Sequence, residues 1–108
     1  MGLGIGTIMA VTFRLKSFNK AVTTAGTAER LSASQILTSS VTLIPTSGET
    51  IYVGDSTVDN SVPSLPAAGI SITPEDVRGT TQYIDLNQIW IDAGTNGHSV
   101  DVFYLEQV

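Results

Sequence analysis

The order of apolar and polar residues along this chain follows a period of two, the repeat of a strand with one face buried and the other wet. In Val11-Thr12-Phe13-Arg14-Leu15-Lys16 the two classes alternate without a break, which predicts a strand buried on its apolar face. Residues 20–24 and 28–31 predict two short strands about a tight turn at Ala25-Gly26-Thr27. Residues 39–45 set Val41 and Leu43 on one face and Thr42 and Ile44 on the other; Pro45 has no N–H for a ladder and should end that strand. Thr46-Ser47-Gly48-Glu49 is turn chemistry, and residues 50–54 resume a strand, so this stretch predicts a β-hairpin. In residues 89–92 Ile89 and Ile91 lie opposite Trp90. The Asn96-Gly97 pair that follows signals another hairpin. The last strand, 99–105, sets Val100, Val102 and Tyr104 against Asp101, Phe103 and Leu105. It is apolar on both faces, which places it centrally or at an interface.

The middle of the chain differs. Residues 55–68 are rich in Ser, Asp, Asn and Pro and read as an ordered surface loop. Residues 70–73 predict a strand stopped by Pro74. Thr73-Pro74-Glu75-Asp76 begins like a helix, but Arg78-Gly79 limits it to one turn. Residues 83–86 predict a short strand. Residues 28–37 compete as a helix through Leu31, Ile36 and Leu37, although Ser32 and Ser34 weaken it. A strand followed by a short turn is the expectation there, a one-turn helix the alternative.

With no alternating helices, about eight short strands separated by turns predict an all-β fold. The expected architecture is an antiparallel β-sandwich, jelly-roll-like, with an extended N-terminal arm; a small barrel is the other all-β solution. We divide the chain into an arm with a first strand, residues 1–19, and a sandwich domain, residues 20–108. A chain of 108 residues is one domain's worth.

Composition narrows the function. Charged residues are 14% of the chain, against about 25% in an average domain. Ser and Thr take their place, which suits half-exposed strands and surfaces covered by neighbours. The net charge of −5 disfavours binding to a phosphate backbone, so no nucleic-acid partner is expected. There are no cysteines, which excludes disulfides and thiolate metal sites. Residues 1–11 are apolar and rich in glycine, yet the basic residues Arg14, Lys16 and Lys20 follow rather than precede them. The run is too short and too broken by glycine to span a bilayer, and no membrane partner is expected. It reads as a flexible or partner-docked arm.

Candidate chemistry is thin. His98 is the one histidine; Ser99 and Asp101 follow it and share a strand face, but a triad needs an oriented nucleophile, base and carboxylate. The plain reading is an exposed turn histidine. Asp55-Ser56-Thr57-Val58-Asp59-Asn60 gathers oxygen ligands without the alternating acids, glycine and distal glutamate of an EF-hand; its side chains read as caps of their own turns. Glu75-Asp76 reads as a cap rather than an acid pair. Gly2-Leu3-Gly4-Ile5-Gly6 lacks the preceding strand and following helix of a phosphate loop. Trp90, Tyr83, Tyr52 and Tyr104 could form a stacking platform for sugars or bases, but read more simply as core or subunit-interface aromatics. The expectation is no enzyme, no catalytic residue, no metal and no cofactor.

Three ordered motifs resemble the opening of small tailed-phage virion proteins: Val22-Thr23-Thr24-Ala25-Gly26-Thr27-Ala28, Ser40-Val41-Thr42-Leu43-Ile44, and Ile51-Tyr52-Val53-Gly54-Asp55-Ser56-Thr57-Val58. Leu65-Pro66-Ala67-Ala68-Gly69-Ile70-Ser71-Ile72, Asp85-Leu86-Asn87-Gln88-Ile89-Trp90-Ile91-Asp92 and residues 94–105 continue the series. The likeness covers residues 20–106. It implies a structural virion component without catalytic residues, with a capsid decoration (cement) protein favoured. Such a protein would sit on the head as a homotrimer, partnered by the major capsid protein or other virion subunits. A tail, fibre-base or head–tail joining protein is the near alternative, and a carbohydrate- or host-binding β-sandwich module a second class. Residues 1–18 are expected to become ordered on a neighbouring subunit.

Overall fold

Among the described residues nine strands form in chain order: β1 (Phe13–Ala21), β2 (Glu29–Arg30), β3 (Leu37–Thr38), β4 (Val41–Pro45), β5 (Ile51–Gly54), β6 (Ile70–Ile72), β7 (Ile84–Asp85), β8 (Trp90–Ala93) and β9 (Ser99–Gln107). The computed structural model describes residues 12–74, 79 and 82–108. The chain is all-β: among the described residues the sole helical element is a 3-10 turn, Leu86–Gln88. The strands make sheets ordered β1-β9-β4-β6, β2-β8-β5 and β3-β7, and every pairing is antiparallel.

The pairing is nested. β1 pairs β9, β2 pairs β8, β3 pairs β7 and β4 pairs β6, with β4 also on β9 and β5 also on β8. No two described strands that follow each other in sequence are hydrogen-bonded neighbours, whereas consecutive strands are adjacent about two-thirds of the time in general. Both predicted hairpins are therefore arches that carry the chain from one sheet to another. Asn96-Gly97 does reverse the chain, with Gly97 at φ 85°. However, β8 lies between β2 and β5, and β9 between β1 and β4. The four residues of β8 offer β9 a shorter ladder than the nine pairs it makes with β1, and each pair adds its own increment. The same holds after β4: Pro45 ends it, and Thr46 N–H goes on to the Ser99 carbonyl at 3.0 Å. The turn at Ala25-Gly26 likewise separates strands of different sheets.

The core lies between the four- and three-stranded sheets. Val41 and Leu43 of β4, Val100, Val102 and Tyr104 of β9, Ile51 of β5 and Ile91 and Ala93 of β8 are buried in it, joined by Val22, Leu31 and Leu86 from the connections. β9 lies inside its sheet, between β1 and β4, the first of the two places, central or at an interface, that its apolar faces predict. Residues 28–37 hold β2 and lead to β3 without a helix. Gly69, at φ 79°, opens β6 where an added Cβ would strike the Leu43 carbonyl oxygen.

β1 departs from its prediction. Its apolar residues Phe13 and Leu15 are 39% and 68% exposed. Register explains this. Phe18 stands opposite Val102 and packs edge-on against Tyr104, so even-numbered residues of β1 share the core-side face. Alternation then turns Phe13 and Leu15 outward. Of the stretch expected to order on a neighbour, residues 13–18 are held by β9 of the same chain. Residues 1–11, with the arm and the glycine repeat read in them, lie outside the described residues, as does Glu75-Asp76.

Candidate functional site

The residues singled out for catalysis do not converge. His98 precedes β9, and its imidazole is tied to Thr50 rather than to Ser99 or Asp101. Its Nδ1 accepts the Thr50 backbone N–H at 3.1 Å, while its own carbonyl accepts Val22 N–H at 2.9 Å. It is a half-buried tie between arches rather than an exposed turn residue. On the other face, Asn19 Nδ2 donates to Ser99 Oγ at 3.2 Å and to Asp101 Oδ1 at 3.0 Å. Ser99 Oγ also meets Thr46 Oγ1 at 2.7 Å, and Glu49 Oε1 accepts Ser99 N–H at 2.7 Å. These contacts tie the side chains into the fold rather than to one another as a nucleophile, base and carboxylate.

The 55–60 loop caps itself. Asp55 Oδ1 accepts the Thr57 hydroxyl at 2.6 Å and the Thr57 N–H at 2.9 Å, and Asp59 Oδ1 accepts the Ser61 N–H at 2.9 Å. The Thr57 hydroxyl and N–H hold the Asp55 carboxyl below its ordinary range; Ser61 does the same for Asp59. Val58 is buried and pins the loop beside Gly54. Among the described residues no three His, Cys, Asp or Glu side chains gather as a metal site. The aromatics are dispersed too. Tyr104 is in the core, Trp90 carries the Arg30 guanidinium 4.7 Å from its ring centroid, and Tyr83 stands at the far end of the sandwich.

That far end holds the surface that sequence reasoning missed. β9 ends there alongside β1 on one side and β3-β7 on the other. Between them lies an open groove of about 430 Å³ lined by Phe13, Ile36, Leu37, Thr38, Tyr83 and Leu105, among others, within the usual range of binding clefts. Its rim exposes large apolar side chains, Leu37 at 52% and Tyr83 at 48%, beside the polar Gln35, Ser39, Glu106 and Gln107. The floor is fixed by Thr38, whose buried hydroxyl donates toward the Leu105 and Ser40 carbonyls at 2.7 and 2.8 Å and accepts both residues' N–H groups at 3.2 Å. Asp85 clamps the β3-β7 wall. It accepts Asn87 N–H at 2.9 Å and Ile36 N–H at 3.2 Å. The Asn87 N–H above all holds the Asp85 carboxyl below its ordinary range; burial, the next largest effect, opposes it, and Ile36, Gln35 and Arg30 add to the lowering. The clue available in the sequence was that Leu37 and Tyr83 are large apolar residues at the ends of weak strands, where nothing can cover them.

No helix among the described residues is long and apolar enough to cross a membrane. No family model, curated protein or solved structure matches this chain.

Proposed function

We propose that this chain is a structural virion protein, a capsid decoration subunit that binds the outer surface of a phage head and stabilises it. The observation that carries the reading is the groove end, where Phe13, Leu37 and Tyr83 expose apolar side chains around one concave surface. Exposed apolar surface gathered in one place is what a docking face provides, whereas scattered apolar residues need no partner. The ordered motifs over residues 20–106 supply the virion context. In this reading the sandwich is a rigid block, and the groove seats against the major capsid protein or a second copy, with a homotrimer favoured. A tail, fibre-base or head–tail joining position uses the same surface in a different ring.

Copy number decides between these positions. Quantitative mass spectrometry of purified virions is expected to find on the order of hundreds of copies per particle, whereas about six to twelve would mean a closed ring at the neck or tail. Absence from the particle overturns the proposal. A glycan array probed with the isolated protein tests the carbohydrate-binding alternative.

A further inference from the structure

We propose that the open edge of β1 takes up an extended segment of a partner protein in which apolar and acidic residues alternate. The edge adjoins the groove and shares Phe13 with it, but the inference does not depend on the virion reading.

β1 is nine residues long and lies at the end of its sheet, with β9 on one side and no described strand on the other. The direction of its free backbone groups follows from the ends of the ladder. Thr12 C=O accepts Val108 N–H at 2.8 Å, and Val22 N–H donates to the His98 carbonyl at 2.9 Å. Even-numbered residues therefore spend their backbone groups on β9. Phe13, Leu15, Ser17, Asn19 and Ala21 point theirs to the open edge, a ready template for strand addition.

The side chains give that edge two faces. Even positions carry Arg14, Lys16 and Lys20, three of the chain's five basic residues, although the net charge is −5. Arg14 meets Glu106 at 3.1 Å and Lys20 meets Glu29 at 3.0 Å, while Lys16 is exposed and enters no ion pair among the described residues. Odd positions carry the exposed Phe13 and Leu15. At the Phe13–Lys16 end an added strand thus meets cations on one face and apolar side chains on the other, so there its residues must alternate between acidic and apolar. The same charges oppose a second copy of β1. Antiparallel pairing centred on Ser17 sets Arg14 against Lys20, and pairing centred on Lys16 sets that lysine against itself; like charges placed opposite each other are destabilising.

The test uses the full chain and two nine-residue peptides, one alternating valine with glutamate and one alternating valine with lysine. Fluorescence anisotropy should show the glutamate peptide binding about tenfold or more tighter at low salt, with the gap narrowing as salt rises. Lys16→Glu, a change at an exposed position that leaves the fold intact, should reverse the order. Amide exchange read by NMR should slow at Phe13, Leu15, Ser17, Asn19 and Ala21 and stay unchanged at Arg14, Lys16, Phe18 and Lys20. Equal affinity for the two peptides, binding of neither at millimolar concentration, or protection without that period of two would overturn the proposal. So would protection of the same odd amides by concentrating the protein alone, which would make the occupant a second copy.

Discussion

At the Ser99 end of β9, polar groups meet polar groups; at the Gln107 end, apolar side chains meet water. The first end collects three chain reversals, 22–28, 45–50 and 93–99. Asp92, buried, accepts Gly26 N–H at 2.8 Å and Ala93 N–H at 2.8 Å. Asn96 Oδ1 accepts Ala25 N–H at 2.7 Å, and His98 and Glu49 tie the remaining loops. Among the described residues no buried side-chain polar atom lacks a partner. The second end holds two-residue strands, β3 and β7, beside an open groove at which Phe13, Leu37 and Tyr83 are exposed. An arch cannot satisfy its own backbone as a hairpin does, so each arch needs side chains from the others. That need closes one end and leaves the other free for a neighbour.

The largest expected effect comes from breaking the closed end. Asp92→Ala strands the Gly26 and Ala93 donors and should lower unfolding free energy by about 2–4 kcal/mol in urea denaturation. A loss below about 0.5 kcal/mol would mean that water substitutes freely and that the end is not closed as described. Next, Gly97→Ala forces a side chain into φ 85° and should cost about 1–2 kcal/mol. It should leave the groove residues' NMR shifts unchanged if the two ends are independent.

The open end should answer differently. Leu37→Ser with Tyr83→Ser removes exposed surface and should change stability by no more than about 0.5 kcal/mol per site. Under the proposed function the pair should abolish co-sedimentation with phage heads. A pair that destabilises the fold but still binds would reverse the contrast between the ends.

The smallest effect is on pH. The carboxyls of Asp55, Asp59, Asp85 and Glu29 are held below their ordinary values. For Glu29, burial pushes upward, but hydrogen bonds from Lys20, Thr23 and Thr24 and the Lys20 charge together outweigh it. A carboxyl with a lowered folded value adds stability that is fully present above its unfolded value, near 4, and is lost as pH falls through the folded one. Stability should therefore hold steady with respect to these groups between about pH 5 and 8 and decline below about pH 4. Asp85→Asn should weaken that decline and raise amide exchange at Ile36 and Asn87 without touching the arches. Equal acid sensitivity of Asp85→Asn and the parent would remove Asp85 as the clamp of the groove wall.

Alternation and turn residues in the sequence determined that the chain is all-β, that β4 stops at Pro45, that β9 is central or at an interface, and that the 55–60 loop caps itself. These are local facts: side-chain period, a missing N–H, an aspartate two residues before its donor. The sequence also located the reversals at Gly48 and Asn96-Gly97, yet read them as hairpins. A turn signal states where the chain bends and not which strand waits beyond it. That choice fell to the competition between ladders, which the nine-pair β1-β9 pairing won. Register decided the rest. Because Phe18 had to face Tyr104, period-two alternation put Phe13 and Leu15 in water and Arg14 and Lys16 on the core-side face of an open edge. The groove formed by Phe13, Leu37, Tyr83 and Leu105 joins residues distant in sequence, so only the nested pairing of β1 with β9 and β3 with β7 could bring them together.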